Sequence, residues 1–258
     1  MSSGAASDPT ERFGNRVADY VRYRPGYPPA LIGHLQARGW LPPQAVVADV
    51  GAGTGLSSAL FLDQGCTVYA VEPNGPMRDA AIRLLHGHHG FHAVAGRAEA
   101  TTLPDGHVDL VAAGTAFHWF EPSPTRTEFA RILRAAGVVA LFWNLRSREP
   151  AFMRDYEAVL MAHCAGYAEA DASRRADDES IRAFFGTGFL ESASFPNAQH
   201  LDFDSLLGRV LSSSYAPKPG DAAFAPLEAA LRRLFDENEV GGRVTLTYHT
   251  RLHTGRMH

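Results

Sequence analysis

From residue 49 to residue 55 the chain reads Asp-Val-Gly-Ala-Gly-Thr-Gly, directly after the apolar run Ala45 to Ala48. Glycines at the end of a buried strand let the backbone turn tightly, and they let a ligand reach main-chain N–H groups at the start of the following helix. Glu72 stands 21 residues after Gly51, at the end of a second apolar run that starts at Cys66. A carboxylate in that place can accept hydrogen bonds from both hydroxyls of a ribose. Glycine turn and acid together predict a nucleoside site. The spacing departs from the dinucleotide fingerprint, which wants Gly or Ala at the sixth position: counting from Gly51, Leu56 is there and Gly55 comes one residue early. A pyrophosphate is therefore disfavoured, and a nicotinamide-dependent dehydrogenase (cofactor NAD) is the rival enzyme reading.

These residues need a scaffold that brings strand ends together. A helical pattern over 12–22, with Phe13, Val17, Tyr20 and Val21 on one side, is broken by the proline-rich stretch 24–29 and followed by a second helix over 30–38. Strands are expected at 45–50, 66–71, 91–95, 108–113 and 138–144, alternating with helices at 56–64, 77–85 and 125–134. Pro76 falls where a first-turn proline is tolerated. Five β/α units in succession predict a Rossmann-like, doubly wound and mostly parallel α/β sheet with helices on both faces. Beyond Arg146 the rhythm changes to a helix over 151–165, a strand at 190–195, a helix at 206–212 and a last strand at 244–252. The two late strands complete a seven-stranded sheet in this reading. It is a single domain, 1–258, with a cofactor-binding core at 12–146, a helical cap at 147–188 inserted after the fifth strand, and C-terminal strands in 189–258.

Composition excludes several classes. The 258 residues carry 24 Lys and Arg against 28 Asp and Glu, a net charge of −4, so no global positive field exists to hold nucleic acid or an anionic membrane. Two cysteines, Cys66 and Cys164, make neither a disulfide framework nor a zinc site. His86-Gly87-His88-His89 lacks a carboxylate or thiolate at ligand spacing and reads as a polar turn, so no metal is expected. No GxSxG elbow occurs. No apolar run approaches the roughly 20 residues of a membrane span, and 1–8 lacks the features of a signal peptide, so a cytoplasmic location is expected.

At this point the sequence resembles class I S-adenosylmethionine-dependent methyltransferases. Val47 to Gly55 looks like their first motif, and Val68-Tyr69-Ala70-Val71-Glu72-Pro73 like their ribose motif. Gly96-Arg97-Ala98-Glu99, Leu103-Pro104-Asp105 and Val108-Asp109-Leu110-Val111 resemble the adenine-side and fourth-strand motifs. Arg12-Phe13, the stretch Tyr23-Arg24-Pro25-Gly26-Tyr27-Pro28, and Ala116-Phe117-His118-Trp119-Phe120 are similar to the type 11 small-molecule branch. The resemblance implies a cofactor set: Asp49 within the first motif, main chain at Gly51 and Gly53 for the methionine part, Glu72 for the ribose, and Met77 against the adenine. It further implies that Ala98 and Glu99 meet the adenine edge, that Thr115 and Ala116 carbonyls face the cationic end, and that Tyr20 and Arg24 close the pocket, Arg24 toward the cofactor carboxylate.

For the chemistry itself, in-line attack on a sulfonium methyl needs positioning and desolvation more than it needs functional groups. His118, just past the fourth strand, is the candidate base, with pocket shaping as its alternative role. Trp119 is expected in an apolar acceptor wall, and Arg146 and Arg148, after the fifth strand, as receivers of an anionic acceptor. The place where amine-methylating relatives carry Asn/Asp-Pro-Pro-aromatic reads Thr115-Ala116-Phe117-His118, and no Pro-Cys nucleophile is present. The expected function is methyl transfer to an O, N or carboxylate of a small molecule. A protein that binds the cofactor without turnover is the non-enzymatic alternative.

Overall fold

The computed structural model describes residues 22–174 and 178–257. The helix expected over 12–22 lies outside them except for its last residue. The five parallel strands come in the expected order, with no helix between the third and the fourth. Helix α1 (Pro29–Ala37) precedes β1 (Val46–Val50), and α2 (Leu56–Leu62), β2 (Thr67–Val71), α3 (Gly75–Leu85) and β3 (Phe91–Val94) follow. Then come β4 (Val108–Gly114), a short 3-10 turn at Phe117–Trp119, α4 (Pro122–Ile132) and β5 (Leu133–Arg146). The sheet has seven strands in the order β3-β2-β1-β4-β5-β7-β6, where β6 is Phe189–Leu201 and β7 is Val244–Gly255. β1 to β5 pair in parallel, and β7 lies antiparallel between β5 and β6.

The central strands are continuous apolar runs because both faces of the sheet are covered. Along β1 the side chains alternate: Ala48 and Val50 join the core that contains Phe129, Ile132 and Leu141, whereas Val47 joins Leu31, Leu35 and Phe61 on the other face. At the middle of the sheet Asp49 pairs with Ala70 on one side and Ala112 on the other. The carboxyl ends of β1, β2 and β4 thus arrive at one edge, where ligands bind in such sheets.

Past β5 the structure adds more helix than expected. Helices α5 (Ala151–His163), α6 (Tyr167–Arg174) and α7 (Asp178–Phe185) precede β6, and α8 (Phe203–Leu211) and α9 (Phe224–Asn238) lie between β6 and β7. Met153, Tyr156, Leu160, Leu206, Leu227 and Leu231 build a separate apolar core over the ends of β6 and β7. The segment 147–174 is therefore joined above the sheet by 202–238. α7 returns to the main body instead, with the Phe184 ring 4.8 Å from Phe117. The sequence reading passes over α9, although Leu227, Leu231 and Leu234 repeat at helical spacing. β6 is twice as long as expected because it is an edge strand whose alternate residues face solvent, leaving no continuous apolar run to announce it. No helix among the described residues is long and apolar enough to cross a membrane.

Candidate active site

The glycine turn has the backbone that only glycine adopts cheaply. Gly51, Gly53 and Gly55 have φ of +70°, +58° and +86°. A Cβ on Gly51 would stand 2.6 Å from the Cβ of Ala116, so β1 and the end of β4 touch here; a Cβ on Gly53 would meet nothing within 4 Å. Space over Gly53 is what a bound molecule needs. Glu72 ties the turn to β2: Gly53 N–H donates to its Oε2 at 2.8 Å and Asn74 N–H to its Oε1 at 2.8 Å. Burial pushes the Glu72 carboxyl up, while those two N–H donors and the Arg78 charge pull it down. Asp49 lies behind the turn, fully buried, accepting from Ser57 Oγ at 2.7 Å and Ser58 Oγ at 2.6 Å. Burial pushes its carboxyl up to about 6 against the pull of both serines. Asp49 therefore clamps β1 to the first turn of α2 and does not line the cavity.

Met77 is buried at the start of α3, where Asn74 Oδ1 caps the helix by accepting from Met77 N–H at 2.9 Å. Ala98 is buried too, and the Glu99 carboxylate accepts from Glu121 N–H at 3.0 Å. Thr115 directly follows β4 with φ of +56°, a conformation that costs a β-branched residue. Its N–H donates to Phe142 O at 2.8 Å, and its Oγ1 shares a 3.0 Å hydrogen bond with the Tyr27 hydroxyl. Strain held by two fixed bonds at a strand end aims the next residues, Ala116 to His118, over the sheet edge. The His118 and Trp119 rings sit 4.7 Å apart, and Trp119 is 44% exposed.

One cavity of about 810 Å³ gathers Arg24, Gly51, Gly53, Glu72, Met77, Ala98, Glu99, Thr115, Ala116, His118 and Trp119. Those eleven positions span 96 residues of sequence and come together only through the sheet. Tyr20 lies outside the described residues. Arg146 is not in this cavity; it lines a small annex of about 60 Å³ that shares Arg24, Tyr27, Leu56 and Thr115 with it. Arg148 reaches neither, because it is exposed and paired with Glu157 at 2.5 Å and Asp171 at 3.4 Å. Sequence reasoning missed Tyr27, Asn74, Tyr215 and Arg209. Asn74 had a signal, as an Asn before a helix that opens with proline. Tyr215 and Arg209 had none, since they come from the second core and nothing in their neighbours marks them.

Residues 48–141 match the model of a family described as "Methyltransferase domain". The chain is 36% identical over 150 residues to an uncharacterized methyltransferase of Mycobacterium tuberculosis, an alignment that takes in 57% of this chain and 58% of that one. It is 28% identical over 197 residues to an uncharacterized methyltransferase of Schizosaccharomyces pombe, 75% of each chain. The chain thus spans 58% of the length of the mycobacterial relative. Among solved structures, a protein of Anaeromyxobacter dehalogenans provisionally assigned as a type II methyltransferase shares the fold, with a TM-score of 0.69 over 91% of this chain and 98% of that one at 22% identity.

Proposed function

We propose that residues 48–141, which match the methyltransferase-domain family, work as a class I, type 11 methyltransferase domain, and that the protein moves the methyl group of S-adenosylmethionine to an oxygen, nitrogen or carboxylate of a small molecule. The observation that carries the reading is the Gly51–Gly53 turn locked to Glu72, open to a cavity large enough for a nucleoside and a second molecule. The residues fit the cofactor. Gly53 leaves main chain accessible, and Glu72 keeps both carboxylate oxygens aimed by N–H donors with lone pairs left for ribose hydroxyls. Met77 and Ala98 form the apolar slot for the adenine, where a polarizable thioether suits a π face, with Glu99 at its edge. Thr115 and Ala116 present the end of β4 to the cationic end of the cofactor, and Arg24 closes the pocket beside them.

When bound, the cofactor supplies an electrophilic methyl on sulfonium; this chain's residues orient the acceptor and exclude water around it. His118 takes a proton from an acceptor that carries one, and Trp119 forms part of the acceptor wall. Helices α5, α6, α8 and α9 act as the lid, with Gly166, Ala170 and Tyr215 as its contribution to the cavity. Leu56, at the first turn of α2, puts an apolar side chain into the cavity where a pyrophosphate would need donors, which weighs against a nicotinamide cofactor.

The test is the thermal midpoint with S-adenosylmethionine, S-adenosylhomocysteine or NADH in large excess. A ligand at 100 times its Kd adds about 2.7 kcal/mol of apparent stability. Both adenosyl ligands are expected to raise the midpoint and NADH to leave it unchanged; a shift with NADH alone replaces the reading with a dehydrogenase. His118→Ala should keep the adenosyl shift and lose roughly 10²–10⁴ in kcat on a protonated acceptor.

A further inference from the structure

The annex beside the cofactor cavity holds two guanidinium groups that the proposed cofactor does not use. Arg146 ends β5, and Arg209 comes from α8, 63 residues later. Arg209 is only 5% exposed, its Nη1 reaches Ser213 Oγ at 3.4 Å, and its Nε has no hydrogen-bond partner among the described residues. Arg146 donates from Nη1 to the Tyr167 hydroxyl at 3.3 Å and from Nη2 to the Tyr215 hydroxyl at 2.9 Å. Its guanidinium carbon also lies 5.6 Å from the Tyr156 ring centre and 5.4 Å from that of Tyr167.

Tyrosine partners leave the charge uncancelled. Burial pushes the Tyr167 hydroxyl up to about 12 and raises that of Tyr156 as well, so both stay neutral. Among the described residues neither Arg146 nor Arg209 is in an ion pair with a carboxylate, and Arg146 bears on Arg209 as a like charge. Asp171, the carboxylate in the annex wall, pairs with Arg148 at 3.4 Å. Arg24, a third guanidinium, stands where annex and cavity meet. Arg209 is buried and Arg146 half-buried; like charges held together out of water destabilise a fold unless an anion compensates them, and a guanidinium fork matches the plane of a carboxylate.

We propose that the annex anchors a carboxylate of the methyl acceptor between Arg146 and Arg209, so that the acceptor is a small organic acid whose nucleophilic atom lies in the main cavity. A carboxylate whose lone pairs are held by two guanidiniums is a poor nucleophile, so the anchored group is not the one methylated; a second group on the same molecule is. The annex, at about 60 Å³, is several times the roughly 10–15 Å³ that one water needs, which leaves room for a carboxylate group. The idea rests on the methyltransferase reading given above.

The experiment saturates the protein with S-adenosylhomocysteine and titrates short dicarboxylates (malonate, succinate and glutarate), their diamides and inorganic phosphate, following the thermal midpoint and binding heat. At least one dicarboxylate is expected to bind, with the matching diamide and phosphate silent. Arg146→Met and Arg209→Met should each weaken it at least tenfold while leaving S-adenosylhomocysteine affinity unchanged. A second readout separates anchoring from support of the fold: with an uncompensated buried cation removed, Arg209→Met should raise the midpoint of the ligand-free protein, and Arg209→Gln should keep the Ser213 contact yet lose the dicarboxylate. Binding of phosphate without any dicarboxylate, dicarboxylate binding indifferent to both arginines, or no anion binding to the loaded protein would each overturn the proposal. Failure of S-adenosylhomocysteine to bind at all would instead strike the methyltransferase reading itself.

Discussion

The two walls of the cavity are built on opposite plans. On the sheet side the surface is shaped by backbone: three glycines in left-handed conformations, two N–H groups donated to Glu72, and Thr115 held in a costly conformation. On the helical side, where the cavity meets the annex, it is shaped by side chains, with Tyr167 and Tyr215 from the second core meeting Arg146 from β5. A main-chain site tolerates little change in backbone geometry, whereas a side-chain site can be rebuilt by exchanging residues on a retained scaffold. One half of such a molecule can hold one cofactor constant while the other half is retuned for a new acceptor. Mutations that act on one wall alone test this contrast.

The largest effect is expected in the helical wall. Leu231 is fully buried in the second core, and Leu231→Ala should cost about 2–5 kcal/mol of stability. Its midpoint should fall and acceptor KM should rise, with S-adenosylhomocysteine affinity unchanged at temperatures where the variant is folded. A parallel loss of cofactor affinity would break the contrast. The reverse pattern is expected from Gly51→Ala. Its new Cβ would enter a left-handed residue 2.6 Å from Ala116, for a cost of about 2–4 kcal/mol. Cofactor binding should suffer more than acceptor KM; calorimetric titration of both ligands against the variant decides it.

The smallest effect is a gain. Because Asp49 has its carboxyl pushed from 3.8 up to about 6, the folded chain holds a proton that the unfolded chain releases between those values. Its contribution to stability is therefore full below about pH 4, falls as pH rises toward 6, and is level above. Asp49→Asn keeps an acceptor for Ser57 and Ser58, and should stabilise the protein by about 1–3 kcal/mol at pH 7 relative to wild type, with no gain near pH 4. A gain that does not vary with pH would mean that the carboxylate is not the source.

The same contrast explains how much could be read from the chain. The sheet side was legible: Gly51, Gly53, Glu72, Met77, Ala98, Thr115, Ala116, His118 and Trp119 stand in local motifs, and all line one cavity. Asp49 was placed in the right motif, yet its work is to bind two serines behind the turn. The helical side was legible only in part. Arg146 was marked by following a strand, but so was Arg148, and only the paths of α5 and α6 turn one inward and leave the other on Glu157 and Asp171. Arg209 and Tyr215 belong to the site through contacts between segments more than 60 residues apart, and no local pattern encodes such a meeting.

Strand β7 lies between β5 and β6, although it follows both along the chain. During synthesis the five parallel strands can assemble as soon as residue 146 has emerged. β6 has no partner to pair with until 244–255 arrive, nearly 45 residues after it ends. Until then its apolar residues and the inner faces of α8 and α9 are open to water or to a chaperone. The glycine turn and Glu72 can thus be in place while the arginine annex does not yet exist, and the two walls differ in time of birth as they do in construction.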